Sequence, residues 1–173
     1  MDIQQLVAEH HQVVYRYAYR LTGSVPDAED LTQQVFLVAG QKLDQLRKVE
    51  NARAWLFAIL RNSFLKSRQR QRPVPAATLQ LNLDSIPAEV PEDEDIDRQG
   101  LQNALDQLPA DFRIILLMFY FQECSYREIA ESLDLPIGTV MSRLSRAKAH
   151  LRSRLLEPKR PEPPKQQPNT VSQ

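Results

Sequence analysis

No single helix can run through residues 124–155, because Pro136 stands in the middle of that stretch. Proline has no amide proton to donate, and its ring keeps the preceding residue away from helical geometry. The stretch is otherwise helical in pattern, so it must fold as two helices joined by a short turn. Ser125 and Glu128 open the first as an S-x-x-E box, which satisfies two free backbone N–H groups. Ile129, Ala130 and Leu133 follow at helical spacing, and Asp134, Leu135 and Pro136 end the run. Regularity resumes near Gly138 and Thr139. Val140, Leu144, Ala147, Leu151 and Leu155 then form one apolar stripe. A helical wheel sets Thr139, Ser142, Arg143 and Arg146 on the other side. Arginine offers a planar fork of donors to guanine edges or phosphate, and Ser and Thr bond to either. Cap, tight turn and basic second helix together fit a helix inserted into the major groove of DNA. The alternative is the solvated outer face of an ordinary helical hairpin.

Charge supports a nucleic-acid partner through its pattern, because the formal net charge is zero. From Lys42 to Arg72 nine basic residues stand against two acids. From Asp84 to Asp97 there are seven acids and no base, and from Arg143 to Arg160 seven basic residues and one acid. Two positive blocks around a negative one suit a polyanion held at two points. The 173 residues allow one domain or two small ones. Four glycines and long helical periodicity favour an all-α chain of two small helical domains. Cys124, the one cysteine, excludes an intrachain disulfide and is read as a small buried hydrophobe. No apolar run approaches the roughly 20 residues needed to span a bilayer. The N-terminus has neither the basic region nor the apolar core of a signal peptide. A soluble, cytoplasmic protein without direct membrane insertion is therefore expected.

Ile3, Leu6, Val7, Val14, Tyr17 and Leu21 mark a first amphipathic helix that ends at Thr22 and Gly23. Ser24 and Asp27 resemble a second N-terminal cap. Ala28, Leu31, Val35, Val38 and Ala39 carry that helix to about Leu46, with Gly40 inside it. Asn51 caps a third helix, which runs through Trp55, Leu56, Ile59 and Leu60 towards Arg70. Three helices with short connections can bury a common core over residues 1–72. Residues 73–97 hold four prolines and the acidic run PEDEDID, the composition of an extended linker. Leu101, Ala104, Leu105 and Leu108 begin a second helical domain, 98–156. Phe112–Phe121 reads as its central helix, with a strand as the alternative for so short an apolar run. Residues 157–173 are proline-rich and polar, the composition of a disordered tail.

On the third helix, Phe57, Arg61, Phe64 and Arg68 share one face, and Lys66, Arg70 and Arg72 extend the positive surface. Alternating rings and guanidinium groups can stack on exposed bases while holding phosphates. Core packing of both phenylalanines is the favoured alternative for the rings. Catalytic chemistry finds no support. His10 and His11 are adjacent and His150 is remote. No metal-ligand spacing, phosphate loop or nucleophile motif occurs, and Glu29 and Asp30 point in different directions. No enzyme activity, cofactor or metal is expected.

Five blocks are more specific than any of these patterns. DAEDLTQQVF (27–36), ARAWLFAILRN (52–62), LDQLPADFRIILLM (105–118), SYREIAESL (125–133) and PIGTVMSRLSRAK (136–148) resemble, in order and spacing, those of bacterial extracytoplasmic-function sigma factors. The resemblance covers about residues 5–155. It implies a sigma-2 domain at the N-terminus that docks on the clamp of core RNA polymerase and captures the melted −10 element. It implies a sigma-4 helix–turn–helix that binds the β-flap and reads the −35 element of promoter DNA. The acidic linker matches the segment that threads towards the active centre. Carried over residue by residue, core-polymerase binding falls on Asp27, Asp30, Leu31, Gln34 and Phe36. The −10 contacts fall on the loop from Arg47 to Arg53, with Lys48, Asn51 and Arg53, and on Arg61, Asn62, Lys66 and Arg68. The −35 surface falls on Thr139, Ser142, Arg143, Ser145 and Arg146. An anti-sigma factor is a family expectation. Met141 departs from the lysine or arginine frequent at its position, Lys66 from an aspartate and Gly40 from an aromatic. A free-standing operator-binding regulator is the rival reading, though it has little use for the 27–36 motif.

Overall fold

The protein, as a computed structural model, is described over residues 2–46, 48–71 and 98–156. The expected linker (73–97) and tail (157–173), with Arg47 and Arg72, lie outside the described residues. Regular structure among the described residues is helical throughout. Helix α1 (Ile3–Thr22) begins with a capping box in which the Gln5 N–H donates to Asp2 Oδ1 at 2.8 Å and the Asp2 N–H to Gln5 Oε1 at 3.1 Å. It ends at Gly23, in left-handed geometry at φ 70°, whose N–H closes on the Tyr19 carbonyl at 2.8 Å. A side chain there would also meet the Asp106 carboxylate, which would have to move, so glycine suits the position in conformation and in space. Helix α2 (Val25–Gln41) starts at Ser24, whose hydroxyl accepts from the Asp27 N–H.

Helix α2 stops short of the expected Leu46. Lys42 leaves helical geometry and Leu43–Gln45 form a single 3-10 turn. Leu43 and Leu46, at the two ends of that turn, still pack against the edge of the core. A second 3-10 turn, Val49–Asn51, leads directly into α3 (Ala52–Gln71). Beyond the undescribed stretch come α4 (Arg98–Asp106) and α5 (Ala110–Phe121), so the apolar run is a helix and not a strand. Helices α6 (Tyr126–Leu133) and α7 (Ile137–Leu156) complete the chain. The Ser125 box is realised: the Glu128 N–H donates to Ser125 Oγ at 3.3 Å, and the Ser125 N–H to Glu128 Oε2 at 2.7 Å. Asp134 takes the left-handed cap position at φ 53°.

The sequence treats the two bundles as separate modules, yet in the structure they share a core. Leu6, Val14 and Leu21 of α1 pack with Val35 of α2 and with Leu56 and Leu60 of α3. The same cluster continues through Ile115, Leu117 and Met118 of α5 to Val140, Leu144 and Ala147 of α7. Each fully buried valine, leucine, isoleucine or methionine among them stabilises the fold by roughly 1.5–3 kcal/mol. At the seam the Tyr17 ring lies 4.9 Å from Phe57 and 5.9 Å from Phe121, and its hydroxyl accepts from Gln122 Nε2 at 2.7 Å. Burial pushes the Tyr17 phenol far above its ordinary pKa, so it stays neutral.

Polar groups then fix the orientation of α1 against α4 and α5. Arg113, 8% exposed, donates from Nη1 to the Leu21 carbonyl at 2.6 Å. Its Nη2 reaches the Asp106 and Leu108 carbonyls at 3.1 and 3.0 Å, and the Asp106 carboxylate is 3.6 Å away. Burial lowers the Arg113 pKa and Asp106 opposes the change. Buried Gln102 donates to the Tyr19 carbonyl at 3.3 Å and accepts from Arg20 at 3.0 Å.

Candidate nucleic-acid interface

The second helix of the helix–turn–helix presents its outward side unevenly. Val140, Leu144, Ala147 and His150 are buried beneath α7. Ser142 and Ser145 are exposed, while Thr139 and Arg146 are half-buried. Ser142 Oγ donates to the Thr139 carbonyl at 3.3 Å, which leaves its lone pairs to a ligand. Arg143 departs from the wheel. Its guanidinium is turned back onto α5, 3.9 Å from Asp111 Oδ2 and 5.8 Å from the Phe112 ring centroid. From Ile137 to Arg146 the outward surface of α7 is therefore hydroxyls, Arg146 and the exposed apolar Ile137 and Met141.

The expected polymerase-docking set divides in two. Asp27, Asp30, Leu31 and Gln34 line one cleft between the bundles, facing Phe64, Arg68 and Arg113. Helical spacing explains this, since 27, 30, 31 and 34 fall on one side of α2. Phe36 lies round the helix, with its ring 6.0 Å from His11 and nearly parallel to it. It lines a separate hollow with Val7, His11 and Leu37.

The expected −10 residues divide likewise. Phe57 and Phe64 are 1% and 7% exposed, so both are core and neither can stack on a base. The arginines of the row lie on or beside them. Arg53 covers the Phe57 ring at 5.4 Å and Arg68 covers Phe64 at 5.9 Å. Arg61 is half-buried, with a buried Nε that has no hydrogen-bond partner among the described residues, and its charge acts on Tyr17 and Cys124. Asn62 and Lys66, one turn apart, are both exposed, as are Lys48 and Asn51 at the start of the helix. Among the described side chains of α3, Asn62 and Lys66 thus face outward with Arg53, which is exposed beside the Phe57 ring, while Arg61 and Arg68 are half-buried.

Comparison with known proteins places the whole arrangement. Residues 6–74 match the Sigma-70 region 2 model and residues 98–151 the Sigma-70 region 4 model. The ECF RNA polymerase sigma factor SigL of Mycobacterium tuberculosis is 38% identical over 160 residues, 90% of this chain and 89% of that protein. The chain belongs to the ECF RNA polymerase sigma factor family. SigE of Mycolicibacterium smegmatis is also 38% identical, over 87% of this chain, which spans 60% of that relative's length. Among solved structures, the Bartonella quintana sigma factor RpoE, in complex with the anti-sigma factor NepR, is 31% identical. It covers 91% of this chain and 98% of its own, with a TM-score of 0.64.

In this sigma factor the two matched regions are the two bundles, and the seam between them is what sequence reasoning missed. Arg113, Gln102 and Gln122 were not singled out. Arg113 had a readable signal, a lone cation inside the apolar run FRIILLM, because a charge on a buried helix requires fixed partners. Lys148 was missed too. Its ammonium sits 4.3 Å above the Phe119 ring and 5.5 Å from that of Tyr120, which ties α7 to the end of α5. No helix is long and apolar enough to cross a membrane, and no group of three or more metal-ligating side chains occurs, among the described residues.

Proposed function

We propose that this sigma factor joins core RNA polymerase and directs it to promoters by reading two DNA elements, acting in the cytoplasm and without catalysis of its own. The outward face of α7, with Thr139, Ser142, Ser145 and Arg146, enters the major groove of the −35 element. The turn leading into α3 and the outward side of that helix, with Lys48, Asn51, Asn62 and Lys66, engage the −10 element once its strand is exposed. Unstacked bases gain hydrogen bonds there that duplex DNA cannot offer, so binding energy drives melting. Two weak sites on one chain raise each other's effective concentration, and neither need bind tightly alone. Asp27, Asp30 and Gln34 form the exposed docking side of α2 for the polymerase clamp, with Leu31 buried in the core beneath them, and the second bundle meets the β-flap. An anti-sigma partner follows by likeness to the 31% identical relative seen with NepR.

The observation that carries this reading is the second helix of the helix–turn–helix, where two exposed hydroxyls stand beside Arg146 while Arg143 is held inward. Run-off transcription with purified core polymerase on genomic fragments tests it. The chain should confer initiation at defined start sites that core polymerase alone does not use. Binding to DNA without any polymerase-dependent initiation would sink the reading in favour of a free-standing regulator.

A further inference from the structure

Ile137 and Met141 lie one turn apart at the leading end of α7, and they are 49% and 51% exposed. Neither belongs to the core or packs on its edge. Before Arg146, the outward side of the helix has Ser142 and Ser145 beside this apolar strip and no cation. Arg143, the preceding arginine of α7, is turned to Asp111 and Phe112. A surface that only gripped phosphates would gain nothing from an exposed thioether here. The major groove of duplex DNA offers one apolar group, the 5-methyl of thymine. A methionine side chain is unbranched and adaptable, so it can cover a methyl group without an exact pocket. Arg146 on the same helix complements the charge of the surrounding phosphates.

We propose that Met141 reads thymine through its 5-methyl group at one position of the −35 element, with Ile137 flanking the contact. This rests on the proposed insertion of α7 into that element. It makes Met141 a specificity-determining residue at a position where the family resemblance leads to lysine or arginine.

The test begins with selection of −35 sequences from a randomised duplex library by the full chain assembled with core polymerase. Each thymine in the selected element is then replaced by deoxyuridine, which lacks only the methyl group. At one position the wild-type complex should bind roughly fourfold more weakly, the ratio expected for about 0.8 kcal/mol per buried methyl-sized group. Met141→Ala should lose that discrimination and bind both duplexes alike. Met141→Lys should also lose it, while its affinity falls more steeply with salt. Both substitutions are at an exposed side chain, and circular dichroism confirms that they fold. A selected element in which no thymine is sensitive to its methyl group overturns the assignment, as does undiminished sensitivity in Met141→Ala. Failure to select any −35 sequence overturns both this assignment and the reading of α7 on which it rests.

Discussion

Helices α3 and α7 are each 20 residues long and rich in basic side chains, yet they expose different chemistry. Along α3, Arg68 lies over a phenylalanine ring and Arg61 is half-buried, while Asn62, Lys66 and Arg53 are exposed, the last beside the Phe57 ring. Along α7, Arg143 is drawn onto α5, while Ser142, Ser145 and Met141 remain outward. The difference shows that counting cations does not define a binding surface. A guanidinium that starts near the edge of an apolar stripe covers carbon, because its stem and planar head gain contact there while its charge stays partly wet. What reaches a ligand is set by angle from the stripe.

The most severe way to break this picture is Arg113→Ala, which removes the most completely captured cation. It strands the Leu21, Asp106 and Leu108 carbonyls at the seam. A loss of about 3 kcal/mol is expected from urea denaturation. A loss within experimental error would mean that the seam between the bundles does not hold in solution.

A second set of variants sharpens the contrast between inward and outward cations. Arg146→Ala should weaken −35 binding by about 1–3 kcal/mol at one base position, and Lys66→Ala should weaken promoter binding uniformly and reduce the salt slope by about one. Neither should move the denaturation midpoint. Arg143→Ala and Arg68→Ala should each lower stability by about 0.5–1 kcal/mol through the lost ring contacts. Equal effects of all four on promoter binding, measured by fluorescence anisotropy of the polymerase complex, would erase the distinction.

The smallest effect concerns pH. His150 is buried under α7, burial lowers its pKa, and its Nε2 has no hydrogen-bond partner among the described residues. A folded-state pKa below the unfolded value means that the unfolded chain binds the proton more readily. Stability from this site is therefore complete above the ordinary histidine pKa and falls as pH drops through it towards the lowered folded value. Thermal melts between neutral and mildly acidic pH should show a decline that His150→Gln abolishes. An identical decline in the variant would assign the acid sensitivity elsewhere.

Much of this was legible from local signals. The Ser125–Glu128 box, the Asp134–Pro136 break and the stripe from Val140 to Ala147 all appear as read, because caps and the 3.6-residue period act within one or two turns. The burial of Phe57 and Phe64 was the favoured alternative for those rings. The early stop of α2 is not legible, since Leu43 and Leu46 continue the helical spacing of Val35 and Ala39 and no breaker residue marks Lys42. A helical wheel sets Arg143 on the outward face because it cannot see Asp111 or Phe112 on another helix. The resemblance of the 27–36 block groups Phe36 with Asp27 and Asp30, and a motif carried over in this way does not show that Phe36 sits on the other side of α2.

By itself, the sequence determined an all-helical chain, the breaks between most of its helices and the family to which it belongs. Each follows from residue spacing and from groups that satisfy their own neighbours' backbone. The tertiary structure alone decided which charges are available and how the two bundles meet. Arg113 finds the Leu21 carbonyl 92 positions away, and Gln122 finds Tyr17 105 positions away. Such partners are joined by burial of a shared core, and no local pattern in the chain encodes the distance between them.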